Sequence, residues 1–336
     1  MQQKLIVGVD VSKATLDCCF KPSGVILQVN NDVKGFKKWL LELKLLCKSP
    51  EAVLVIMEHT GQYSIRFERF LRSKAISYCK VPAIQIKRSL GMIRGKTDKV
   101  DAVRIADYGW LRRDSLLADP LLQEDIEELR MLLSLRQKLV KDRSGYIQRL
   151  KEMKAAGNCQ ACDCQVSIQQ QLIAYFNKQV AVLEARIKSL IDSSKELADN
   201  CRLLRSIKGV GWIVAAYMIG CTDNFNRFRC ARKFNCYAGL APFKHESGSS
   251  IKARARISHL ANKTAKTLLN LAAFCAIRCD PGMNQYYHRR IAEGKQKMQC
   301  LNIIRSKIVA RIFAVIKRQT PYQPFAVNII NPTLKN

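Results

Sequence analysis

The chain has 336 residues, and its 57 Lys and Arg against 27 Asp and Glu give a formal net charge of +30. Such a charge favours a polyanionic partner, most commonly nucleic acid. No apolar run reaches the roughly 18 to 20 residues of a membrane-spanning helix, which excludes a spanning protein. The length suits two or three domains. The N-terminus enters a strand pattern without a signal-peptide layout, so we expect a cytoplasmic protein with no membrane partner.

The first third of the chain predicts a mixed α/β domain. Short apolar runs rich in β-branched residues predict strands at 4–9, 16–20, 25–29, 52–57 and 76–81. Apolar residues at helical spacing predict helices between the third and fourth strands and between the fourth and fifth. A strongly basic segment then leads into a further helix that contains two acids.

Four carboxylates lie at the ends of predicted strands or near the start of a predicted helix. Asp10 follows the first predicted strand and Glu58 the fourth, and ligands of open α/β sheets gather beyond such strand ends. Asp98 and Asp101 share one face of a helix, with about 5 to 6 Å between their Cβ atoms. Neighbouring carboxylates raise one another's pKa unless a cation compensates them. Alternatively, each strand acid only marks the point where its strand surfaces, and the helical pair belongs to a cap. That alternative explains any one of the acids better than all four.

The order of these elements is that of an RNase H-like fold. Three segments, DVSK at 10–13, MEHTG at 57–61 and KTDKVDA at 96–102, resemble the RuvC-like DEDD domain of the one-ten family of insertion-sequence transposases, which are bridge-RNA-guided recombinases. Hard oxygen ligands and a phosphodiester substrate imply Mg²⁺, or Mn²⁺ in its place, held by the four carboxylates.

The middle of the chain is predicted to be helical. Apolar residues repeat at alternating spacings of three and four from Ile173 to Leu190, a heptad seam that predicts helix pairing. Pairing within the chain competes with dimerisation, and we favour dimerisation. Just before the seam, Cys159, Cys162 and Cys164 have no fourth ligand close by, which argues against a structural zinc site.

Two glycines, Gly209 and Gly211, lie between apolar helical stretches in a pattern like a helix-hairpin-helix. Such a turn can present backbone N–H groups to a phosphate. The alternative is an ordinary helical hairpin in the core.

Near the C-terminus, residues 296–318 predict an amphipathic helix with a basic face that includes Arg305.

A loop rich in serine follows the glycine turn in the sequence. GLAP at 239–242 followed by ESG at 246–248 resembles the C-terminal transposase domain of the same family, in which the serine of the SG pair is the nucleophile. By that resemblance the nucleophile is Ser247. Many members of the family have a serine at the position of Glu246, which leaves the alignment of the loop open. If the alignment shifts, Ser249 or Ser250 takes the role of nucleophile.

No acid occurs from residue 247 to residue 279, whereas lysines and arginines recur there, which suits a phosphodiester backbone. Similar reasoning applies to the basic segment before Asp98 and to the glycine turn. We therefore predict nucleic-acid contacts at Lys87, Arg88, Arg94, Lys96, Lys208, Gly209, Gly211, Lys252, Arg254, Arg256, Lys263 and Lys266.

The predicted domains are a RuvC-like DEDD domain at 1–115, a helical coiled-coil or dimerisation arm at 116–200, a helical transposase domain at 201–320 and an irregular tail at 321–336. The resemblance implies an RNA-guided DNA transposase that cuts and rejoins DNA through a covalent phosphoserine. Its partners would be donor and target DNA, a structured noncoding guide RNA, and further copies of the chain, as a dimer or as a tetramer on DNA. The alternatives are a site-specific DNA invertase, a RuvC-like structure-specific endonuclease, and a noncatalytic nucleic-acid-binding protein.

Overall fold

A computed structural model describes residues 5–47, 49–59, 61–89, 98–119, 123–155, 160–228, 230–247, 251–257 and 260–323. The chain divides into two compact units, Met1–Leu121 and Leu122–Asn336. The first unit is mixed α/β and the second is mainly helical, which confirms the predicted fold class at this level. None of the described helices is long and apolar enough to cross a membrane.

The first unit is built on one five-stranded sheet. Its elements are β1 (Leu5–Val11), β2 (Thr15–Lys21), β3 (Ile26–Asn30), α1 (Val33–Leu46), β4 (Val53–Glu58), α2 (Ile65–Ser73), β5 (Ser77–Val81), α3 (Ala83–Ser89) and α4 (Asp98–Leu111). The strand order is β3-β2-β1-β4-β5. β1, β4 and β5 are parallel, whereas β2 pairs antiparallel with both β1 and β3. This mixed sheet fits the predicted RNase H-like domain.

Both faces of the sheet are covered. Val7 of β1 packs in one cluster with Trp39 of α1 and Phe67 of α2. Ile6, the preceding residue, packs in another cluster with Ile105 of α4. Because successive side chains of a strand point to opposite faces, the even-numbered positions of β1 face α4. Burial on both faces also explains why the central strands are continuous apolar runs rather than alternating ones.

The second unit is mainly helical and contains one two-stranded hairpin. Its elements are α5 (Glu124–Ala155), α6 (Gln160–Ser193), α7 (Lys195–Arg205), α8 (Trp212–Thr222), α9 (Ala231–Tyr237), β6 (Pro242–Ser247), β7 (Ile251–Ile257), α10 (Lys263–Cys279), α11 (Pro281–Ala292) and α12 (Lys297–Arg318). The hairpin is antiparallel and has an irregular register between Phe243 and His245. The predicted separation of an arm from a transposase domain inside this unit stays a prediction.

The predicted heptad seam packs against α5 of the same chain. Phe176 stacks on Tyr146 with ring centroids 5.6 Å apart. An ion pair of 2.6 Å joins Arg136 to Glu184 further along the two helices. The pairs run in opposite directions along the sequence, so α5 and α6 form an antiparallel hairpin. Pairing within the chain therefore accounts for the seam. Dimerisation stays a prediction, and the seam no longer serves as an argument for it.

The core of the second unit lies around α12. Ile304, Ile308 and Ile312 are fully buried at helical spacing, as the amphipathic pattern predicts. The expected basic face is wrong at one position, because Arg305 is only 3% exposed. Its guanidinium donates to Oδ1 of Asn270 at 2.5 Å, which compensates part of the cost of burying the charge.

Candidate active site

Asp10 and Glu58 lie side by side at the carboxyl ends of two parallel strands. Val9 of β1 pairs with Met57 of β4. Asp10 and Glu58, the next residues of these two parallel strands, therefore lie beside each other. Neighbouring strands are about 4.8 Å apart. Both acids occupy positions that face α4, in step with Ile6, and both are half-buried. The structure thus brings these two predicted site residues together, with Asp10 inside β1 rather than just after it.

The direction of α4 carries the other two acids toward the same end of the sheet. A Cβ added at Gly8 would lie 2.2 Å from the backbone nitrogen of Ala106 and 2.6 Å from the carbonyl oxygen of Ala102. Later along the helix, a Cβ at Gly109 would meet Ile6, which precedes Gly8 in the strand. The helix therefore runs opposite to β1, and its first turn, with Asp98 and Asp101, lies toward the strand end that carries Asp10.

Asp101 is held by its own helix. Its Oδ1 accepts a hydrogen bond from Nη1 of Arg104, one turn later, at 2.7 Å. The side chain of Asp98 lies outside the described part of the structure. Among the described residues, no three His, Cys, Asp or Glu side chains are gathered closely enough to hold one ion. The carboxylate oxygens match what Mg²⁺ prefers, and the backbone brings their elements to one edge of the sheet. Arg104 engages only Oδ1 of Asp101, so Oδ2 of the same carboxylate can still bind a cation.

The sequence reasoning missed a fifth carboxylate. Asp17 of β2 is directly opposite Asp10 in the antiparallel register and is 1% exposed. Its Oδ1 accepts from Nε2 of Gln28 at 2.9 Å. The signal was present in DVSKATLD, because a tight turn between two strands places residues equally distant from it opposite each other. Ser12 fixes that turn by accepting a hydrogen bond from the backbone N–H of Thr15 at 2.8 Å.

Ser247 is the last residue of β6, where it pairs with Ile251 at the tip of the hairpin. The structure describes its backbone but not its side chain, and Ser249 and Ser250 lie outside the described residues. A hairpin tip is a typical place for a nucleophile that must reach a bulky substrate. The predicted serine loop therefore connects two paired strands that the sequence reasoning did not identify.

The predicted nucleic-acid contacts are described only in part. Lys87, Arg88, Lys208 and Lys263 are exposed. Lys266 is half-buried, and burial, together with the nearby Arg305, lowers its pKa. The residues that lie outside the described part, or whose side chains do, are Arg94, Lys96, Lys252, Arg254 and Arg256.

The two glycines of the α7–α8 turn differ in their surroundings. Gly209 has a φ of +93°, and a Cβ there would lie 2.6 Å from the carbonyl oxygen of Ala272 in α10. That glycine is needed for close helix packing, as in the ordinary core hairpin. Gly211 is exposed and precedes the first residue of α8, where backbone N–H groups remain available. Phosphate contact at this turn stays a prediction.

Comparison with known proteins supplies the identity. Residues 7–153 match a family model described as a transposase. Residues 201–288 match the model of the transposase IS116/IS110/IS902 family. The chain is similar to a pilin gene-inverting protein of Moraxella bovis, at 26% identity over 95% of this chain and 98% of that protein.

Two further relatives come from insertion elements. An IS110 uncharacterized 43.6 kDa protein of Streptomyces coelicolor is 30% identical over 44% of this chain and 35% of its own length. An IS900 uncharacterized 42 kDa protein of Mycobacterium paratuberculosis is 24% identical over 96% of this chain and 98% of its own length. The α/β unit with its paired strand-end acids and these matches define a DNA-processing enzyme of the transposase and recombinase class. Within that class, the chain belongs to the IS110 family of transposases, as the resemblance of its motifs predicted.

Proposed function

We propose that this protein is an RNA-guided DNA transposase of an insertion sequence, acting in the cytoplasm, with Ser247 as the nucleophile. The N-terminal unit would serve as a RuvC-like domain and the second unit as the helical transposase domain with its arm. The observation that carries the proposal is the pair of carboxylates, Asp10 and Glu58, on adjacent strand ends, with α4 running so that its first turn lies toward those ends.

The chemistry follows from a hydroxyl next to a phosphodiester. The Oγ of Ser247 attacks phosphorus, its proton leaves to solvent or a base, and the bond from phosphorus to the leaving oxygen breaks. A phosphoserine ester and a free DNA hydroxyl result. Attack by a hydroxyl of a second strand reverses the step and releases the serine, so strands rejoin without an external energy source.

The carboxylates would hold a divalent cation. Asp10, Glu58, Asp98 and Asp101 would be its ligands, and Mg²⁺, or Mn²⁺ in its place, would stabilise negative charge on the phosphate when bound. In the absence of an ion, the pairing of Asp101 with Arg104 keeps one of these carboxylates compensated. Asp17, buried opposite Asp10, adds negative potential at the same edge and so favours cation binding.

The partners follow from charge and family. A formal net charge of +30 suits simultaneous contact with DNA and a structured guide RNA, which would select donor and target by base pairing while the protein reads backbone and shape. The acids and the serine belong to different units, so the site can be completed within one chain or between copies in a dimer or a tetramer on DNA.

A DNA invertase is the second candidate. The similarity to the pilin gene-inverting protein extends over 95% of this chain, and an inversion would use the same serine and acids. Substrate plasmids distinguish the two activities. A transposase excises or inserts its element, whereas an invertase flips a segment between inverted sites. The product therefore identifies the reaction independently of its chemistry.

A cleavage assay tests the chemistry and the guide together. Purified protein is mixed with Mg²⁺, plasmid DNA carrying element ends, and either the RNA encoded beside those ends or a scrambled RNA. We expect strand exchange only with the native RNA, and loss of exchange in both Ser247→Ala and Asp10→Asn. Ser144→Ala is a matched control, because this exposed serine only donates to a carbonyl of its own helix.

Cleavage that survives Ser247→Ala but not Asp10→Asn would indicate metal-dependent hydrolysis and refute the serine mechanism. If exchange disappears in Ser249→Ala or Ser250→Ala instead, the nucleophile is that serine. Absence of cleavage in the wild-type protein with every RNA would favour a noncatalytic binding protein.

A further inference from the structure

A cavity of about 290 Å³ lies in the second unit between α5, α8, α9 and the start of α10. We call it the arginine pocket, because Arg130 and Arg227 both line it, together with Tyr217, Tyr237 and Asn262. None of its described lining residues is acidic. The predictions from sequence did not include any of these residues.

The charge of the arginine pocket is positive. Arg130 donates from Nε to the carbonyl oxygen of Gly220 at 2.6 Å, which fixes the guanidinium and leaves its two terminal amino groups for other partners. One carboxylate, Asp223, interacts electrostatically with both arginines. Burial raises the pKa of Asp223, and the two arginines lower it only in part. Two guanidinium groups against one carboxylate leave a net positive charge.

The two arginines also repel each other. Burial lowers the pKa of Arg130; the charge of Asp223 opposes this, and the charge of Arg227 adds to it. Arg227 is exposed, with its guanidinium carbon 5.2 Å from the ring centroid of Tyr237 and 5.4 Å from that of Phe228. Like charges held close together around a cavity are relieved when an anion enters.

A chain of hydrogen bonds supplies a third donor. The Oδ1 of Asn262 accepts from the backbone N–H of Ala265 at 2.9 Å and from the hydroxyl of Tyr217 at 3.0 Å. Since the backbone contact fixes which amide atom is the oxygen, Nδ2 must donate to the hydroxyl of Tyr237, at 2.7 Å. That hydroxyl already accepts a hydrogen bond, so its own proton is available to a ligand.

We propose that the arginine pocket binds one phosphate of a nucleic-acid backbone, with Arg130, Arg227 and the Tyr237 hydroxyl as donors. This inference rests on the proposed function only in that the protein must bind nucleic acid. The phosphate is not the one that is cut. Tyr237 lies at the base of the β6–β7 hairpin, where its carbonyl accepts from the backbone N–H of Asn262 at 2.8 Å. From Pro242 to Ser247 the strand extends roughly 17 Å at about 3.4 Å per residue, so the pocket holds the backbone away from the attacked bond.

Affinity as a function of salt tests the proposal, with a DNA duplex of about 20 base pairs and an RNA hairpin as separate probes. Arg227→Gln is the main variant, because its exposed side chain can be changed without emptying the core. For the probe that enters the pocket, we expect about tenfold weaker binding. The slope of log affinity against log salt should be smaller by about 0.9 for the DNA duplex, or by about 0.7 for the single-stranded loop of the RNA hairpin.

Arg202→Gln is the matched control. It removes the same charge from an exposed arginine that does not line the pocket and that pairs with Asp199 of its own helix. Its salt slope should equal that of the wild type. Tyr237→Phe removes one donor and no charge, so it should weaken binding about threefold, as the loss of one hydrogen bond does, with an unchanged slope.

Several outcomes would overturn the inference. Equal slopes for Arg227→Gln and Arg202→Gln with both probes would show that the pocket holds no phosphate. The same conclusion follows if Tyr237→Phe binds like the wild type. Failure of the wild-type protein to bind either probe would overturn this inference and the proposed function together. Normal binding by the wild type with equal slopes for the two variants would overturn the pocket alone.

Discussion

Substitution of Gly8 by alanine tests the packing on which the candidate site depends. The added Cβ would lie 2.2 Å from the backbone nitrogen of Ala106 and 2.6 Å from the carbonyl oxygen of Ala102. Non-bonded heavy atoms prefer separations of about 3.5 to 4.0 Å, so α4 must move by roughly 1 Å or more. Neither contacting atom is the end of a flexible side chain, so the strain cannot be relieved by a rotamer change.

Overpacking of this kind costs about 1 to 3 kcal/mol in unfolding free energy. The same movement carries Asp98 and Asp101 away from Asp10, and a displacement of about 1 Å at a reacting centre costs up to roughly 100-fold in rate. Chemical denaturation gives the first quantity, and DNA cleavage with saturating Mg²⁺ gives the second.

Gly145→Ala is the matched control for this experiment. Gly145 lies within α5, and a Cβ there would have no atom within 4 Å outside its own helix. Because alanine is a better helix former than glycine, the control should be neutral or up to about 1 kcal/mol more stable, with unchanged cleavage. If Gly8→Ala is as stable and as active as the wild type, α4 does not pack on β1 in this way and the geometry of the site is wrong.

Two further predictions follow from single side chains. Asp280 accepts from the backbone N–H groups of Gly282 and Met283 and pairs with Arg311 at 2.6 Å. Burial alone would raise the pKa of Asp280, but the Arg311 hydrogen bond and the backbone donors together lower it below its ordinary value. The carboxylate therefore stabilises the fold fully above its unfolded pKa, and this contribution is lost as pH falls through the folded pKa. Asp280→Asn should lower the free energy of unfolding by about 1.5 to 3 kcal/mol near neutral pH and make it less dependent on pH in the acid range. If the variant loses stability at low pH as steeply as the wild type, this prediction is contradicted. Asp17→Asn keeps the shape of the side chain but removes a charge opposite Asp10, so half-maximal cleavage should require about tenfold more Mg²⁺. An unchanged Mg²⁺ titration would show that Asp17 does not act on the cation.

Much of the first unit could be predicted because local signals agreed with the fold. The runs at 4–9 and 52–57 are β-branched and apolar, and they became adjacent parallel strands. Since parallel strands end at one edge, the neighbouring positions of Asp10 and Glu58 followed from the pattern. The direction of α4 did not, because it depends on the close approach that Gly8 permits, and a lone glycine in a strand has several explanations.

The features that were missed depend on contacts distant in sequence. The arginine pocket joins Arg130 to Tyr237 and Asn262, residues more than a hundred positions away along the chain. The β6–β7 hairpin was obscured by basic residues at alternate positions, which were interpreted only as a charged patch. The heptad seam predicted helix pairing correctly but could not distinguish a partner helix in the same chain from one in another copy, since both bury the same side chains.

Identification of the residue that becomes joined to DNA tests the central claim most directly. The wild-type protein is incubated with Mg²⁺, its guide RNA and DNA with element ends, quenched in denaturant, treated with nuclease and protease, and examined by mass spectrometry. The account predicts a nucleotide attached through phosphate to Ser247, absent from Ser247→Ala and from Asp10→Asn. Cleaved DNA without any protein-linked nucleotide would contradict it and leave hydrolysis as the reaction.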